Sequence, residues 1–373
     1  MSRLPMLLFS MVQVRYSMDP SQAVAGEFEF MANNQRIILA ARPEGMPDES
    51  HLKLESAPMP EPADGEVLLR TIYLSLDPYM RGRMSASKSY AQSVEVGSVM
   101  EGGTVCEVEE SHHPDWQQGE LVLAHTGWQA YAAVNPKGLK RLNPDEAPIS
   151  TAVGVLGMPG FTAYAGLLEH GRPQKGETVA VSAASGAVGQ VVGQLSRLWG
   201  CRAVGIAGGP EKCRFVTDEL GFDACVDHRS ASFEQDLAAA CPDGIDVYWE
   251  NVGGKVQAAA MPLLNEFARI PVCGIIAHYN EADAPAGADR LPGFMRHILT
   301  KRLTIRGFIQ FDHADRRKEF FKNVAPLVRD GKLKHREDIV QGLENAVSAF
   351  QGLLSGKNFG KLLVQVSEDP SRP

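Results

Sequence analysis

Residues 177–189 read Glu-Thr-Val-Ala-Val-Ser-Ala-Ala-Ser-Gly-Ala-Val-Gly, and this stretch decides the fold. Within it, residues 178–182 are apolar and predict a strand, and residues 184–189 are a variant of the turn G-x-G-x-x-G with alanine in the first glycine's place. Apolar residues then recur at helical spacing as far as Gly200, which is a typical helix C-cap. A strand, a glycine turn and a helix in this order predict a site for a dinucleotide pyrophosphate, because the helix N-terminus presents free N–H groups.

The end of the next predicted strand, Arg202–Ile206, indicates which dinucleotide binds. NAD-binding folds usually place Asp or Glu there, against the ribose 2′-hydroxyl. This chain has Ala-Gly-Gly-Pro at 207–210 instead, and Lys212 follows at the start of a helix. A charge-assisted contact from this lysine to a 2′-phosphate, worth about 1.5–3 kcal/mol, gives roughly a 10- to 100-fold preference. The pattern predicts NADPH; the alternative is that Lys212 is an ordinary exposed lysine.

Composition limits the classes of partner and the location. The net charge of −8 argues against nucleic acid or an anionic membrane surface as the main partner, since both favour basic proteins. No apolar run approaches the ~20 residues of a membrane span. The six cysteines are nowhere spaced as C-x-x-C, so we expect reduced thiols and a cytoplasmic protein.

The pattern of strands and helices predicts four parts. Residues 1–30 differ from the rest and are expected to be a disordered extension or the product of a misassigned start codon. Residues 31–155 consist of short β-like runs separated by Pro and Gly, which predicts a compact β domain. Residues 156–310 alternate strands with helices and predict a doubly wound parallel sheet of the α/β class. Residues 311–373 have mixed patterning and are expected to return to the first domain.

Together with the glycine turn, the chain carries five landmarks in this order: Leu-Ser-Leu-Asp-Pro-Tyr-Met-Arg at 74–81, Ala-Ala-Ser-Gly-Ala-Val-Gly at 183–189 (the turn itself), Glu-Asn-Val-Gly-Gly at 250–254, Tyr-Asn at 279–280 and Gly-Lys-Asn-Phe-Gly-Lys at 356–361. With them, the chain from Met31 onward resembles the medium-chain dehydrogenase/reductase superfamily. Within it the chain is similar to the zinc-independent branch of prostaglandin reductases, leukotriene B4 dehydrogenases, plant alkenal double-bond reductases and bacterial curcumin reductases. The resemblance implies a GroES-like β domain, a Rossmann domain and a homodimer.

The resemblance also implies a reaction and a set of site residues. Hydride passes from NADPH to the β-carbon of a small α,β-unsaturated ketone or aldehyde, and a proton reaches the α-carbon. The implied cofactor residues are, at the pyrophosphate, Gly186, Ala187, Val188 and Gly189; at the 2′-phosphate, Lys212; and on the nicotinamide side, Asn251, Cys273, Gly274, Ile275, Tyr279, Phe308, Ile309, Gln310 and Asn358. His228 departs from the family, which usually has tyrosine near the 2′-phosphate. We expect His228 to stack on the adenosine or donate to the phosphate, and the alternative is a solvated residue at a strand end.

Two tyrosines are the candidate catalytic residues. Conjugate reduction builds negative charge on the carbonyl oxygen, and a donor aimed at such an oxygen lowers barriers by about 3 kcal/mol. Tyr279 follows the carboxyl end of a predicted strand, which is where open α/β sheets bind ligands. A phenol donates a hydrogen bond without being charged. A turn-capping role is the alternative for Tyr279. Tyr79 is the second candidate, as a pocket wall or auxiliary donor, and simple burial after the Asp-Pro turn is its alternative.

No metal is expected. A catalytic zinc site needs a set of Cys and His ligands, whereas the resemblance puts Ser75 and Ser98 at the first Cys and the His, and Met158 near the remaining Cys. Besides an enone reductase, the sequence leaves open a quinone reductase of the same superfamily and a non-catalytic NADPH-binding protein. A zinc alcohol dehydrogenase ranks behind these. Parallel assays of NADPH consumption with a linear enone and a naphthoquinone separate the first two.

Overall fold

Two sheets organise the chain in the computed structural model, which describes residues 33–281 and 290–372. The expectation for residues 1–30 therefore lies outside the described residues. The strands of the described residues are β1 (Asn33–Leu39), β2 (Leu52–Pro58), β3 (Val67–Ser75), β4 (Thr104–Ser111), β5 (Leu121–Ala124), β6 (Tyr131–Val134), β7 (Lys140–Arg141), β8 (Thr178–Ser182), β9 (Arg202–Ala207), β10 (Ala224–Asp227), β11 (Ile245–Trp249), β12 (Leu264–Val272), β13 (Thr304–Gly307), β14 (Glu337–Gln341) and β15 (Lys361–Gln365).

Helices connect most of the later strands. The α-helices of the described residues are α1 (Met80–Arg83), α2 (Met158–Gly166), α3 (Gly189–Leu198), α4 (Pro210–Arg214), α5 (Phe233–Ala240), α6 (Gly254–Ala260), α7 (Leu291–Lys301), α8 (Arg317–Arg329) and α9 (Ala346–Leu354). Short 3₁₀ segments span Ile149–Val153, Met261–Leu263, Ile276–His278, Gln310–Arg316 and Leu343–Asn345, and π-helical turns extend α2 and α4 over Leu167–Gly171 and Phe215–Glu219. Within the described ranges, no helix is both long and apolar enough to cross a bilayer.

Six strands form the parallel sheet that was predicted around the glycine turn. Their order is β10-β9-β8-β11-β12-β13, which is the doubly wound arrangement of a Rossmann fold. Successive side chains of β8 point to opposite faces, so that Val179 and Val181 join one apolar cluster and Ala180 joins the other. Both faces are covered, as a parallel sheet requires. The α/β class is confirmed.

The other sheet combines the first part of the chain with its last strand. Its order is β14-β15-β3-β4-β5-β7, with β6 also paired to β3, and β1 and β2 form a separate antiparallel pair. Strand β15 pairs antiparallel with β3, with Leu363 opposite Ser75. Strand β15, near the end of the chain, thus lies in the same sheet as β3 and β4.

Sequence patterns predicted most strands and helices, but not all of their first and last residues. The strand predicted at 178–182 has those bounds. Strand β9 ends at Ala207, one residue beyond the predicted strand Arg202–Ile206. Strands β2, β7 and β14 were not predicted, because each gains its hydrogen bonds from a partner elsewhere in the chain.

Candidate active site

The turn after β8 has the geometry of an anion cradle. Ala183 has a positive φ of 51°, and the N–H of Gly186 donates to its carbonyl oxygen at 2.9 Å. A Cβ on Gly189 would lie 2.3 Å from that same oxygen, so only glycine fits where α3 begins. Among the described residues, no backbone acceptor receives the N–H groups of Ala187, Val188 or Gly189. These groups, at the positive end of the helix, fit a pyrophosphate.

The turn after β9 brings cationic side chains to the predicted 2′-phosphate position. Asp227, at the end of β10, accepts the N–H groups of Gly209 at 2.8 Å and Arg229 at 2.9 Å through its Oδ1. The carboxylate of Asp227 is thus held by two backbone donors. The guanidinium of Arg229 lies beside Gly208, since a Cβ there would be 3.1 Å from its Nε. His228 lies against the same turn.

Lys212 connects this turn to the C-terminal part of the chain. Its Nζ donates to the carbonyl oxygens of Gly356 at 2.8 Å and Asn358 at 2.6 Å. Burial lowers the pKa of Lys212, and Arg229 lowers it further. An ammonium has three donor hydrogens, so one remains for an anion. The residues around the turn fit a phosphorylated ribose, and sequence reasoning did not find the two carbonyls because they lie far along the chain.

The ends of β8 and β11 are joined by side-chain bonds. Asn251 donates from Nδ2 to the carbonyl of Ser182 at 2.7 Å, and its Oδ1 accepts the indole N–H of Trp249 at 3.1 Å. Glu250 is fully buried, and its Oε1 accepts the N–H of Gly253 at 2.9 Å. Burial raises the pKa of Glu250. Asn251 is therefore fixed at the sheet edge, and its contact with nicotinamide stays a prediction.

Tyr279 lies just beyond β12, at the end of the short 3₁₀ turn Ile276–His278. Its hydroxyl accepts the N–H of Ile275 at 3.4 Å, and a Cβ on Gly274 would be 2.8 Å from that hydroxyl. Burial raises the pKa of Tyr279 to about 12. The phenol is consequently neutral, and among the described residues its proton has no acceptor, so it is available to a ligand.

Arg81 joins the β domain to the segment that carries Tyr279. Its Nε donates to Oδ1 of Asn280 at 3.1 Å, and its guanidinium also donates to the carbonyls of Pro43 at 3.1 Å and Gly45 at 2.9 Å. Arg81 is almost fully buried. The candidate donor therefore lies next to a residue, Asn280, that contacts the helix following β3.

Tyr79 and Tyr279 share a neighbourhood with a tyrosine that sequence reasoning missed. The guanidinium of Arg83 lies 5.4 Å from the ring centre of Tyr79 and 4.4 Å from that of Tyr90. Burial is the main cause that raises the pKa of Tyr79 and of Tyr279, and Tyr90 is a minor cause common to both. Tyr90 is 56% exposed in a loop of small polar residues, where no periodic pattern marks it.

A cavity of about 310 Å³ lies at the carboxyl ends of β12 and β13, lined by Val272, Cys273, Gly274, Ile275, Gly307, Phe308, Ile309 and Asp312. Five of the residues predicted for the nicotinamide side share this cavity. Burial raises the pKa of Cys273 to about 12, so its thiol is neutral. Gln310 is buried and accepts a hydrogen bond from Arg317 instead. Asn358 donates from Nδ2 to the carbonyl of Gly360 at 2.9 Å.

A buried ion pair supports the turn that carries Tyr79. The Nζ of Lys361 lies 2.8 Å from Oδ1 of Asp77 and 2.8 Å from the carbonyl oxygen of Leu76. Ser75, which the resemblance put at a zinc-ligand position, donates to the other oxygen of Asp77. In the described ranges, no three His, Cys, Asp or Glu side chains are grouped as a metal site needs.

Comparisons with known proteins agree with this arrangement. Residues 35–142 match the family model described as the N-terminal domain of oxidoreductase, and residues 187–329 match the one described as zinc-binding dehydrogenase. The chain is 52% identical to the NADPH-dependent curcumin reductase of Escherichia coli K12, over 90% of this chain and 98% of that protein. It is 41% identical to the NADP-dependent 2-alkenal reductase of Nicotiana tabacum, over 90% and 98%.

A solved structure gives the same result. The crystal structure of CurA in complex with NADPH from Vibrio vulnificus superposes with a TM-score of 0.86 at 53% identity, over 90% of this chain and 100% of that one. Identity at this level over nearly whole chains assigns the family. The chain therefore belongs to the medium-chain dehydrogenase/reductase family, in the branch of the curcumin, alkenal and prostaglandin reductases.

Proposed function

We propose that this protein reduces the C=C bond of α,β-unsaturated ketones and aldehydes with NADPH, and that Tyr279 stabilises the enolate that forms. It is an NADP-dependent oxidoreductase acting on conjugated C=C bonds, as are the relatives named as curcumin and 2-alkenal reductases. Bound NADPH supplies the hydride that the β-carbon receives. The α-carbon then takes a proton, which completes the saturated product.

The chain's own residues bind and orient the cofactor. The N–H groups at 187–189 would hold the pyrophosphate, and Lys212 and Arg229 would hold the 2′-phosphate. Cys273, Phe308 and Ile309 line the cavity at the sheet edge, as a largely apolar wall for the nicotinamide. The neutral thiol adds no charge there.

Tyr279 carries the proposal, because its hydroxyl lies at the sheet edge with a proton that no described acceptor receives. An enone carbonyl oxygen placed on it accepts that proton in a hydrogen bond, which strengthens as negative charge develops. Removing one such donor costs about 2.7–4 kcal/mol, or 10²- to 10³-fold in kcat. Tyr79, from the β domain, contributes a second wall of the substrate pocket.

The test is Tyr279→Phe, assayed for NADPH oxidation with a linear enal, a cyclic enone and a curcumin-like diketone. We expect kcat to fall about 10²-fold, with little change in the dissociation constant for NADPH measured by fluorescence. Tyr131→Phe, on strand β6 outside the site, is the matched control and keeps full turnover. Unchanged turnover in Tyr279→Phe removes this tyrosine from the mechanism. Absence of turnover on every enone, with normal NADPH binding, overturns the function itself.

We further propose a homodimer formed along the free edge of the parallel sheet. Strand β13 is the last strand of that sheet. On the neighbouring helix α7, Met295 and Leu299 lie one turn apart and are 53% and 77% exposed. An open edge beside an apolar helix face favours pairing with a second copy. Leu299→Glu should shift sedimentation from dimer to monomer, whereas Leu198→Glu, an exposed leucine on α3, should not; a wild-type monomer contradicts the proposal.

We also propose that the domains divide at the limits expected from the sequence: 31–155, 156–310 and 311–373. The two separate sheets and the β15–β3 pairing support this division. A cytoplasmic location is supported by six cysteines that are all unpaired, since disulfides are rare in that compartment. Fractionation of native cells tests the location.

A further inference from the structure

His228 lies directly against the turn that ends the second strand of the parallel sheet. A Cβ on Gly208 would be 2.9 Å from the imidazole Nε2, so the missing side chain makes room for the ring. The ring's Nδ1 is buried and has no hydrogen-bond partner among the described residues. The imidazole is thus held against the turn after β9, with Nε2 towards Gly208.

Two cations and two carboxylates lie around this imidazole. Arg229 lies beside the same turn, and Lys255 on α6 donates from Nζ to the carbonyl oxygen of His228 at 2.8 Å. Asp227 precedes it at the end of β10, and Glu234 on α5 lines the same cavity of about 260 Å³ as His228. Burial lowers the pKa of His228, and the charges of Lys255 and Arg229 lower it further, against a smaller opposite effect of Asp227. Without a ligand, the imidazole is therefore neutral at pH 7.

We propose that His228 is a specificity residue that takes up a proton when a ribose 2′-phosphate binds beside Gly208, so that preference for the phosphorylated cofactor grows as pH falls. The inference rests on the proposed NADPH function. A phosphate beside Gly208 brings up to two negative charges next to Arg229, which lies at the same turn, and close to Lys255, which donates to the carbonyl of His228. It offsets the repulsion that keeps the imidazole neutral and accepts the N–H that protonation creates.

The sign of the pH effect follows from linkage. Binding raises the pKa of His228 above its value in the free protein, so the extra affinity is present below the free value and is lost as pH rises through the bound value. Each unit of difference is worth a tenfold change in affinity. The phosphate's own second ionisation, near pH 6, releases protons on binding. That effect is common to wild type and variants, so the difference between them reports His228.

The experiment is calorimetric titration with 2′,5′-ADP, NADP⁺ and NAD⁺ between pH 6 and 8, in two buffers of different ionisation enthalpy. On binding, near the midpoint of the His228 titration, we expect the wild type to take up about half a proton more than His228→Gln. The NADP⁺/NAD⁺ affinity ratio should change about tenfold over this range, and only weakly in the variant. His228→Tyr, which restores the usual residue of the branch, should behave as His228→Gln does. His113→Asn, in a turn of the β domain, is the control and should match the wild type.

Two failures are distinguishable. Equal proton uptake by the wild type and both His228 variants, with normal NADP⁺ binding, overturns the inference and leaves the function standing. No preference for NADP⁺ over NAD⁺ at any pH overturns the proposed cofactor, and the inference with it. Thermal melts of each variant verify that it is folded. Because the readout is binding heat, no turnover is needed.

Discussion

Replacing Lys212 with methionine is the most direct test of whether this lysine binds the cofactor's 2′-phosphate. The change removes the ammonium and keeps an apolar side chain of similar length. In the free protein the change also removes two hydrogen bonds, from the ammonium to the carbonyl oxygens of Gly356 at 2.8 Å and Asn358 at 2.6 Å. Both carbonyls can return to water, so we expect a loss of about 1–2 kcal/mol in the free energy of unfolding. Towards the cofactor, the lost charge-assisted contact is worth about 1.5–3 kcal/mol.

Fluorescence titration with NADPH and NADH separates these two effects. The dissociation constant for NADPH should rise about 10- to 100-fold, and that for NADH should stay within about twofold. Lys301→Met is a matched control, because its Nζ also donates to two carbonyls, those of Pro262 and Leu264, on the far side of the sheet. It should lose similar stability and keep its affinity for NADPH. If Lys212→Met weakened the binding of NADPH and of NADH equally, Lys212 would stabilise the fold and would not recognise the 2′-phosphate.

Three further changes test the supporting structure. Lys361→Met leaves the buried carboxylate of Asp77 without its cation and should cost about 3–5 kcal/mol in urea unfolding; adding Asp77→Asn should restore most of it, and no recovery would contradict the pairing. Glu250→Gln removes a group whose pKa burial raises, so wild-type stability declines as pH rises through that value and the variant should decline less between pH 5 and 8; equal slopes in thermal melts contradict this. Gly189→Ala places a Cβ 2.3 Å from the carbonyl oxygen of Ala183, and displacing the helix start should weaken NADPH binding at least about tenfold; normal binding would refute the tight approach.

The dinucleotide half of the fold could be predicted because its signals are local. The strand and glycine turn at 178–189 and the absent acid after Ile206 are readable within a few residues. The C-terminal strand was also predictable from its apolar run. Strand β14 was not, because it becomes a strand only through parallel pairing with β15.

The candidate site was predictable in its composition but not in its connections. The sequence marked Lys212 and Tyr279 by position and chemistry. It could not show that Lys212 bonds to carbonyls about 144 residues further along the chain, since no spacing rule relates them. Tyr90 is likewise brought to the site by tertiary structure alone. Resemblance supplied the cavity residues Cys273 and Phe308, which no pattern in their own segments indicates.

The pairing of β15 with β3 has a consequence for how the protein is made. Residues Leu39 and Leu74, synthesised early, share an apolar cluster with Phe350 and Val364, synthesised near the end. The parallel sheet, by contrast, is contiguous from 178 to 307. On the ribosome, the nucleotide-binding half can therefore fold while β3, in the earlier half, still lacks its partner β15. This is the reverse of the usual order, in which the N-terminal part folds first. A chain that stalls before residue 361 exposes the unpaired edge of β3 to other nascent chains, and we expect such fragments to aggregate or to need a chaperone.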